Sequence, residues 1–159
     1  MFSDIYNFGS RFDIEKRMGS PALTMKFSIY GRGRLDCLVP QCRVDFEQYR
    51  EGVELFNRAA FFEAHEALED VWRAAARPEK KFLQGLIQVA VALHHHGNGN
   101  LAGARSVLRR SFRNLSRYPE GFGGLNSTGL LNSISEWQRA LDEGTPVPPL
   151  PKMVLSHRS

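Results

Sequence analysis

Apolar residues recur at helical spacing from about residue 45 to residue 142. Phe46, Tyr49, Val53 and Phe56 return at three- and four-residue steps, the pattern of one helix face. Asp45 stands where an N-cap is needed, and Glu47 and Glu51 sit near the positive end of the helix dipole. This first helix is expected to close near Arg58-Ala59-Ala60. A second, over about residues 61–76, carries Ala64, Leu68, Val71 and Ala75 as its stripe, with Phe61 and Trp72 flanking. Pro78 prevents its simple continuation. A third, over about 79–96, is apolar on nearly every face through Phe82, Leu83, Leu86, Ile87, Val89, Ala90, Val91 and Leu93. Such a helix is buried among others, and Gln84 and Gln88 are its only interior polar groups. Gly97-Asn98-Gly99-Asn100 stops it. A fourth, over about 101–117, turns Leu101, Ala104, Leu108, Phe112 and Leu115 inward and ends at Tyr118-Pro119. After a glycine-rich loop at 120–125, Asn126, Ser127 or Thr128 caps a fifth helix reaching about Asp142. Leu130, Leu131, Ile134, Trp137 and Leu141 form its apolar face, and Gly144 terminates it.

The chain also matches itself. A shift of 40 residues lays Ala59-Ala60-Phe61-Phe62-Glu63-Ala64 over Gly99-Asn100-Leu101-Ala102-Gly103-Ala104, Leu68 over Leu108 and Trp72 over Phe112. Each unit reads helix, tight turn, helix, with a small residue where the two helices cross, which is the logic of tetratricopeptide-type hairpins. The expected fold is all-α: a five-helix bundle of antiparallel helix hairpins in a tetratricopeptide-like repeat arrangement. Residues 1–44 sustain no period and read as a poorly ordered leader, with a short strand or helix around 25–30. Residues 45–143 form the helical domain, and 144–159 a proline-rich extended C-terminal tail. In that tail Pro146-Val147-Pro148-Pro149-Leu150-Pro151 favours an extended conformation. A strap over the helices, anchored by Leu150, is preferred here to a ligand for SH3- or WW-type domains.

A length of 159 residues suits one domain with a real core, and 42% hydrophobic with 24% charged residues is ordinary for a globular chain. The net charge of +4 suggests nucleic acid until its distribution is considered. Residues 1–44 hold seven Lys/Arg against four Asp/Glu, residues 144–159 two against none, and residues 45–143 twelve against thirteen. The helical part is nearly neutral, which argues against a nucleic-acid partner. Cys37 and Cys42 resemble half a zinc site without a second half, and two reduced thiols are the simpler reading. No segment approaches the ~20 apolar residues of a membrane span. Asp4, Asp13 and Glu15 interrupt any apolar export core, so a cytoplasmic location is the default.

One segment concentrates unusual polar residues. In Glu63-Ala64-His65-Glu66-Ala67-Leu68-Glu69-Asp70, positions 65 and 69 are one turn apart, as are 66 and 70. With the next helix antiparallel, pairing Trp72 with roughly Lys81 sets Glu69 near Gln84, His65 or Glu66 near Gln88, and Arg58 or Phe61 near His95. His65, Glu66, Glu69 and His95 could then hold a divalent metal, such as zinc, manganese, iron or nickel, or relay a proton. Known spacings do not match. A zincin needs His at position 69, and a ferritin-like centre needs Glu-x-x-His pairs. Of His94-His95-His96 only one can face a given site. The competing reading, which is preferred, is a buried network in which carboxamides donate to carboxylates and His65 bonds Glu69. Arg105, Arg109, Arg113 and Arg117, with Arg110 beside them, form a continuous stripe. It is an anion or partner surface, or a solvated face able to meet the acidic first helix of another copy.

Taken together, Phe62-Glu63-Ala64-His65-Glu66-x-x-Glu69-x-x-Trp72, Phe82-Leu83-Gln84-Gly85-Leu86-Ile87-Gln88, His95, and Gly99-Asn100 with Gly103-Ala104 resemble the family called domain of unknown function 309. The resemblance covers about residues 46–151, including Gly124-Leu125-Asn126. It implies a compact multi-helical protein of bacterial or plastid type with no established activity, and it places the characteristic polar positions at Glu63, His65, Glu66, Glu69, Trp72, Gln84, Gln88 and His95. Ala60 departs from the Gly or polar residue expected in its turn. The functional expectation is a non-enzymatic interaction module, with a protein partner or self-association and no cofactor. The alternative is a small metal-binding protein or metal-dependent hydrolase.

Overall fold

The computed structural model describes residues 46–156. The Asp45 cap, both cysteines, and the leader with its 25–30 segment lie outside the described residues. Five helices follow one another: α1 (Phe46–Asn57), α2 (Phe61–Ala74), α3 (Arg77–Gly97), α4 (Leu101–Leu115) and α5 (Ser127–Glu143). Each packs on its neighbour in sequence, giving an all-helical bundle. Among the described residues no strand forms, and one isolated antiparallel bridge joins Leu125 to Leu155.

The turns α1–α2 and α3–α4 are the same structure. Ala59 N–H donates to Phe56 and Gly99 N–H to His96, both at 2.9 Å; Ala60 donates to Leu55 at 3.1 Å and Asn100 to His95 at 2.9 Å. Every partner is offset by 40 residues. Ala59 adopts φ 65° where Gly99 adopts φ 75°, and Ala60 (φ −81°, ψ 67°) matches Asn100 (φ −83°, ψ 74°). The repeat read from sequence is therefore real at the level of backbone hydrogen bonds. The caps differ. Asn100 accepts from Gly103 N–H at 2.9 Å, whereas Ala60 makes no side-chain cap. A β-carbon on Gly103 would lie 2.6 Å from Asn100 Nδ2, so this Asn cap depends on a glycine three residues on. Asn126 and Gly129 repeat the arrangement at the start of α5 (3.0 Å). There the Glu120 carboxylate also accepts from the N–H and hydroxyl groups of Ser127 and Thr128, which hold its carboxyl below the usual range.

Between α2 and α3 the break falls earlier than the sequence pattern suggests. Ala75 (ψ 152°) and Ala76 (ψ 169°) are extended, and Pro78 lies in the first turn of α3, where its missing N–H is harmless. Pro78 thus starts a helix more than it ends one. α4 likewise stops at Leu115, short of the expected Arg117. α3 is the central helix, with Phe82, Leu83, Leu86, Ile87, Val89, Ala90 and Leu93 buried. Leu68 of α2 and Leu108 of α4, whose helices pack on α3, are buried too, as are Leu130 and Ile134 of α5, which packs on α4, while Trp72 is only half-buried.

Beyond α5, Gly144 takes the left-handed conformation (φ 67°) and the chain runs extended along the bundle. Leu150 is not its anchor, being 42% exposed. Met153 is, at 1% exposure. Extended backbone alternates its side chains, so Pro151 and Met153 point inward and Lys152 and Val154 outward.

Candidate functional site

α2 presents Phe62, His65, Glu69 and Arg73 along one flank, and α3 returns antiparallel beside it. Lys80 Nζ lies 4.9 Å from the Trp72 ring centroid at one end, close to the expected Trp72–Lys81 register. At the other end the Phe62 and His94 rings are 6.0 Å apart, with His65 6.4 Å from Phe62. His65 Nε2 stands 3.9 Å from Glu69 Oε2, outside hydrogen-bond range. Glu69 instead pairs with Arg73 at 3.3 Å, and Arg73 also binds Asp70 at 2.5 Å. Burial pulls the His65 imidazole below its ordinary value. Glu69 and Glu66 pull the other way, and His94 and Arg73 add to the lowering. At neutral pH the lowering favours the neutral ring of His65, which lies beside Phe62.

The expected carboxamide–carboxylate network does not form. Gln84 and Gln88 are buried as anticipated, but Gln84 Oε1 accepts from Lys81 Nζ at 3.1 Å and Gln88 Oε1 from Asn114 Nδ2 on α4 at 2.9 Å. The reason is rotational: Gln88 lies on the side of α3 where Gly85 meets Leu115 and Asn114 of α4, so its bond runs to α4 and not to α2. Glu63 and Glu66 are exposed. The imidazole whose charge reaches His65 is that of His94; His95 lies 3.4 Å from Asn100 Nδ2, and His96 stacks edge-on against Trp137 of α5 at 5.0 Å. Three consecutive histidines therefore touch three different parts of the fold. The proposed metal set of His65, Glu66, Glu69 and His95 is not drawn together, and no three His, Cys, Asp or Glu side chains converge to hold a metal among the described residues.

The arginine stripe divides in two. Arg105 donates to the Leu141 carbonyl and lies 3.3 Å from Asp142, which Arg109 also grips at 2.9 and 3.0 Å. These two cations hold the C-terminal end of α5, where a positive charge also meets the helix dipole. Arg110, Arg113 and Arg117 remain exposed. Sequence reasoning missed Phe62 as a surface group, His94 as its ring neighbour, Asn98 as the partner of His94 (Asn98 Nδ2 to His94 Nε2, 3.0 Å), and Glu79, a buried carboxylate in the first turn of α3. Helical geometry could have found His94, since it lies one turn before Asn98.

Residues 49–107 match the family described as Domain of unknown function (DUF309). The chain carries a DUF309 segment. That segment runs from α1 into α4, so it contains both equivalent turns and the entire Phe62–His65–His94 face. Similar proteins extend the match. An uncharacterized protein of Aquifex aeolicus (strain VF5) is 35% identical over 81 residues, 50% of this chain and 24% of that protein. The uncharacterized protein YpuF of Bacillus subtilis (strain 168) is 41% identical over 62 residues, 38% of this chain and 36% of its own length. The chain thus spans well under half the length of either relative. Among the described residues no helix is long and apolar enough to cross a membrane.

Proposed function

We propose that the DUF309 segment is a non-enzymatic helical interaction module, and that it docks a protein partner on the outer flank of α2. The observation that carries this reading is Phe62. It is 40% exposed and held between the His65 and His94 rings. A large aromatic kept at the surface in a fixed orientation is the usual anchor of a binding hot spot, because little rotamer entropy remains to be lost. The neutral His65 can donate or accept a hydrogen bond as the contact requires. Glu63 and Glu66 lie exposed beside Phe62. The partner is accordingly an apolar pocket flanked by Lys or Arg, since charge complementarity at the rim sets encounter and specificity.

A photo-crosslinking aromatic amino acid placed at position 62 of the full chain tests this. It should give one discrete protein adduct in cells, absent when the probe is at exposed Ser106 on α4, and Glu66→Lys should weaken that adduct. Equal labelling from both positions, or none from 62, would sink the reading.

A further inference from the structure

Two carboxamides of α3 each leave an amide nitrogen uncommitted. Gln84 and Gln88 are only 6% and 7% exposed, yet their bonds engage the carbonyl oxygens alone: Gln84 Oε1 accepts from Lys81 and Gln88 Oε1 from Asn114. Neither Nε2 has a partner among the described residues, and neither is sealed from solvent. Asn114 donates through Nδ2 and keeps Oδ1 able to accept. Side chains so deeply buried ordinarily have their polar groups satisfied. Here the unmet donors line the seam where α4 packs on α3.

The spacing of these groups fits extended main chain. Gln84 and Gln88 stand one turn apart, about 6 Å along the helix axis. Carbonyls on one side of an extended peptide recur every two residues, about 6.6 Å, so two of them can accept from both glutamines. Gln88 Nε2 beside Asn114 Oδ1 sets one donor next to one acceptor, the complement of a peptide C=O and N–H. This fold already uses that chemistry on its own chain. The Asn57 carboxamide donates to the Met153 carbonyl at 2.8 Å and accepts from the Met153 N–H at 2.9 Å. Trp137 Nε1 and Asn126 N–H hold the same segment at the Pro149 and Val154 carbonyls, at 3.0 and 2.8 Å.

Charge then selects the kind of peptide. Arg110, Asn114 and Arg117 recur on one stripe of α4. Arg110 and Arg117 are exposed and, unlike Arg105 and Arg109, form no ion pair among the described residues. The Tyr118 hydroxyl donates to the Pro78 carbonyl at 2.6 Å, which brings the end of α4 to the start of α3. Exposed Lys81 and Arg117 therefore mark one end of the seam, and Arg110 lies one turn before Asn114 toward the other. Cations at the rim of a contact select an acidic partner. A nucleic acid fits less well. Its phosphates only accept, which sets an oxygen against Asn114 Oδ1, and residues 45–143 hold thirteen acidic against twelve basic side chains.

We infer that the α3–α4 seam is a receptor strip for an extended, acidic segment of a partner protein. The main chain of that segment bonds Gln84, Gln88 and Asn114, and its carboxylates meet Lys81, Arg110 and Arg117. No residue of the Phe62 face takes part, so the strip does not depend on the docking role assigned there.

Random octapeptides displayed on phage and selected on the immobilised full chain test it. The enriched set should be rich in Asp and Glu, and a fluorescent synthetic copy of one member should bind wild type by polarisation. Gln84→Leu with Gln88→Leu should weaken that binding about tenfold. Arg110→Glu with Arg117→Glu should weaken it at least as much, whereas Arg139→Glu, at an exposed site on α5, should leave it unchanged. Should the glutamine variant fail to fold by circular dichroism, the surface arginine variant decides. A selection without an acidic family overturns the inference, as does a peptide that binds either folded seam variant as tightly as wild type. A single-stranded oligonucleotide that binds more tightly than the peptide, with the same arginine dependence, would assign the seam to nucleic acid and overturn it too.

Discussion

At residue scale, Ala59 occupies a backbone conformation that its repeat mate fills with glycine. A left-handed alanine is strained by roughly 1–2 kcal/mol, and the hydrogen bonds of the turn hold it there. Ala59→Gly should relieve that strain, partly offset by glycine's larger unfolded-state entropy. The expected net gain is about 0.5–1 kcal/mol, read as a shift in denaturant midpoint with an unchanged slope. His65 carries a pH signature. With its folded value below the ordinary 6.5, the native state binds fewer protons than the unfolded chain. The stability it contributes is complete above 6.5 and is lost as pH falls below that, through the lowered folded value. Stability should therefore fall as pH drops below about 6.5, and His65→Gln should flatten part of that fall. An identical slope in the variant would assign the effect to His95, whose imidazole burial also lowers.

At the scale of elements, the close crossings are set by a glycine on the first helix of each hairpin. A β-carbon on Gly52 would meet Leu68 at 2.7 Å, and one on Gly85 would meet Leu115 at 2.7 Å. Gly85→Ala should destabilise by about 1–3 kcal/mol through overpacking, despite alanine's better helix propensity; a stabilised variant in thermal melts would show that α4 can shift. The five helices were legible in the sequence because apolar periodicity is dictated by burial. The 40-residue repeat was legible for the same reason. Which neighbour a polar residue meets was not. Gln84 and Gln88 lie on the right helix at the right level, yet a rotation of the helix about its own axis sends their bonds to Lys81 and Asn114. The pattern fixes the height of a residue along a hairpin far better than its angle. Asn100-x-x-Gly103 and Asn126-x-x-Gly129 show what a short motif can add: the glycine makes room for the capping amide.

At the scale of the whole molecule, the strap joins the first described helix to the last. The pocket for Met153 and the Asn57 clamp tie α1, α5 and the 122–126 turn into one unit, although α1 and α5 are far apart in sequence. Met153→Ala should therefore cost about 2–5 kcal/mol. Leu150→Ala, at an exposed site, should stay within about 0.5 kcal/mol. Equal effects in chemical denaturation would mean that the strap is ornamental. The histidine run in the last turn of α3 has a different use. Because His94 meets Phe62 of α2, His95 meets Asn100 of the turn and His96 meets Trp137 of α5, the three imidazole ring protons are separate spectroscopic reporters, one for each boundary of a single helix end. A partner on the α2 flank would move the His94 resonance first, and disturbance of the α5 side that of His96. One nuclear magnetic resonance titration could thus tell which side of the molecule a ligand has touched.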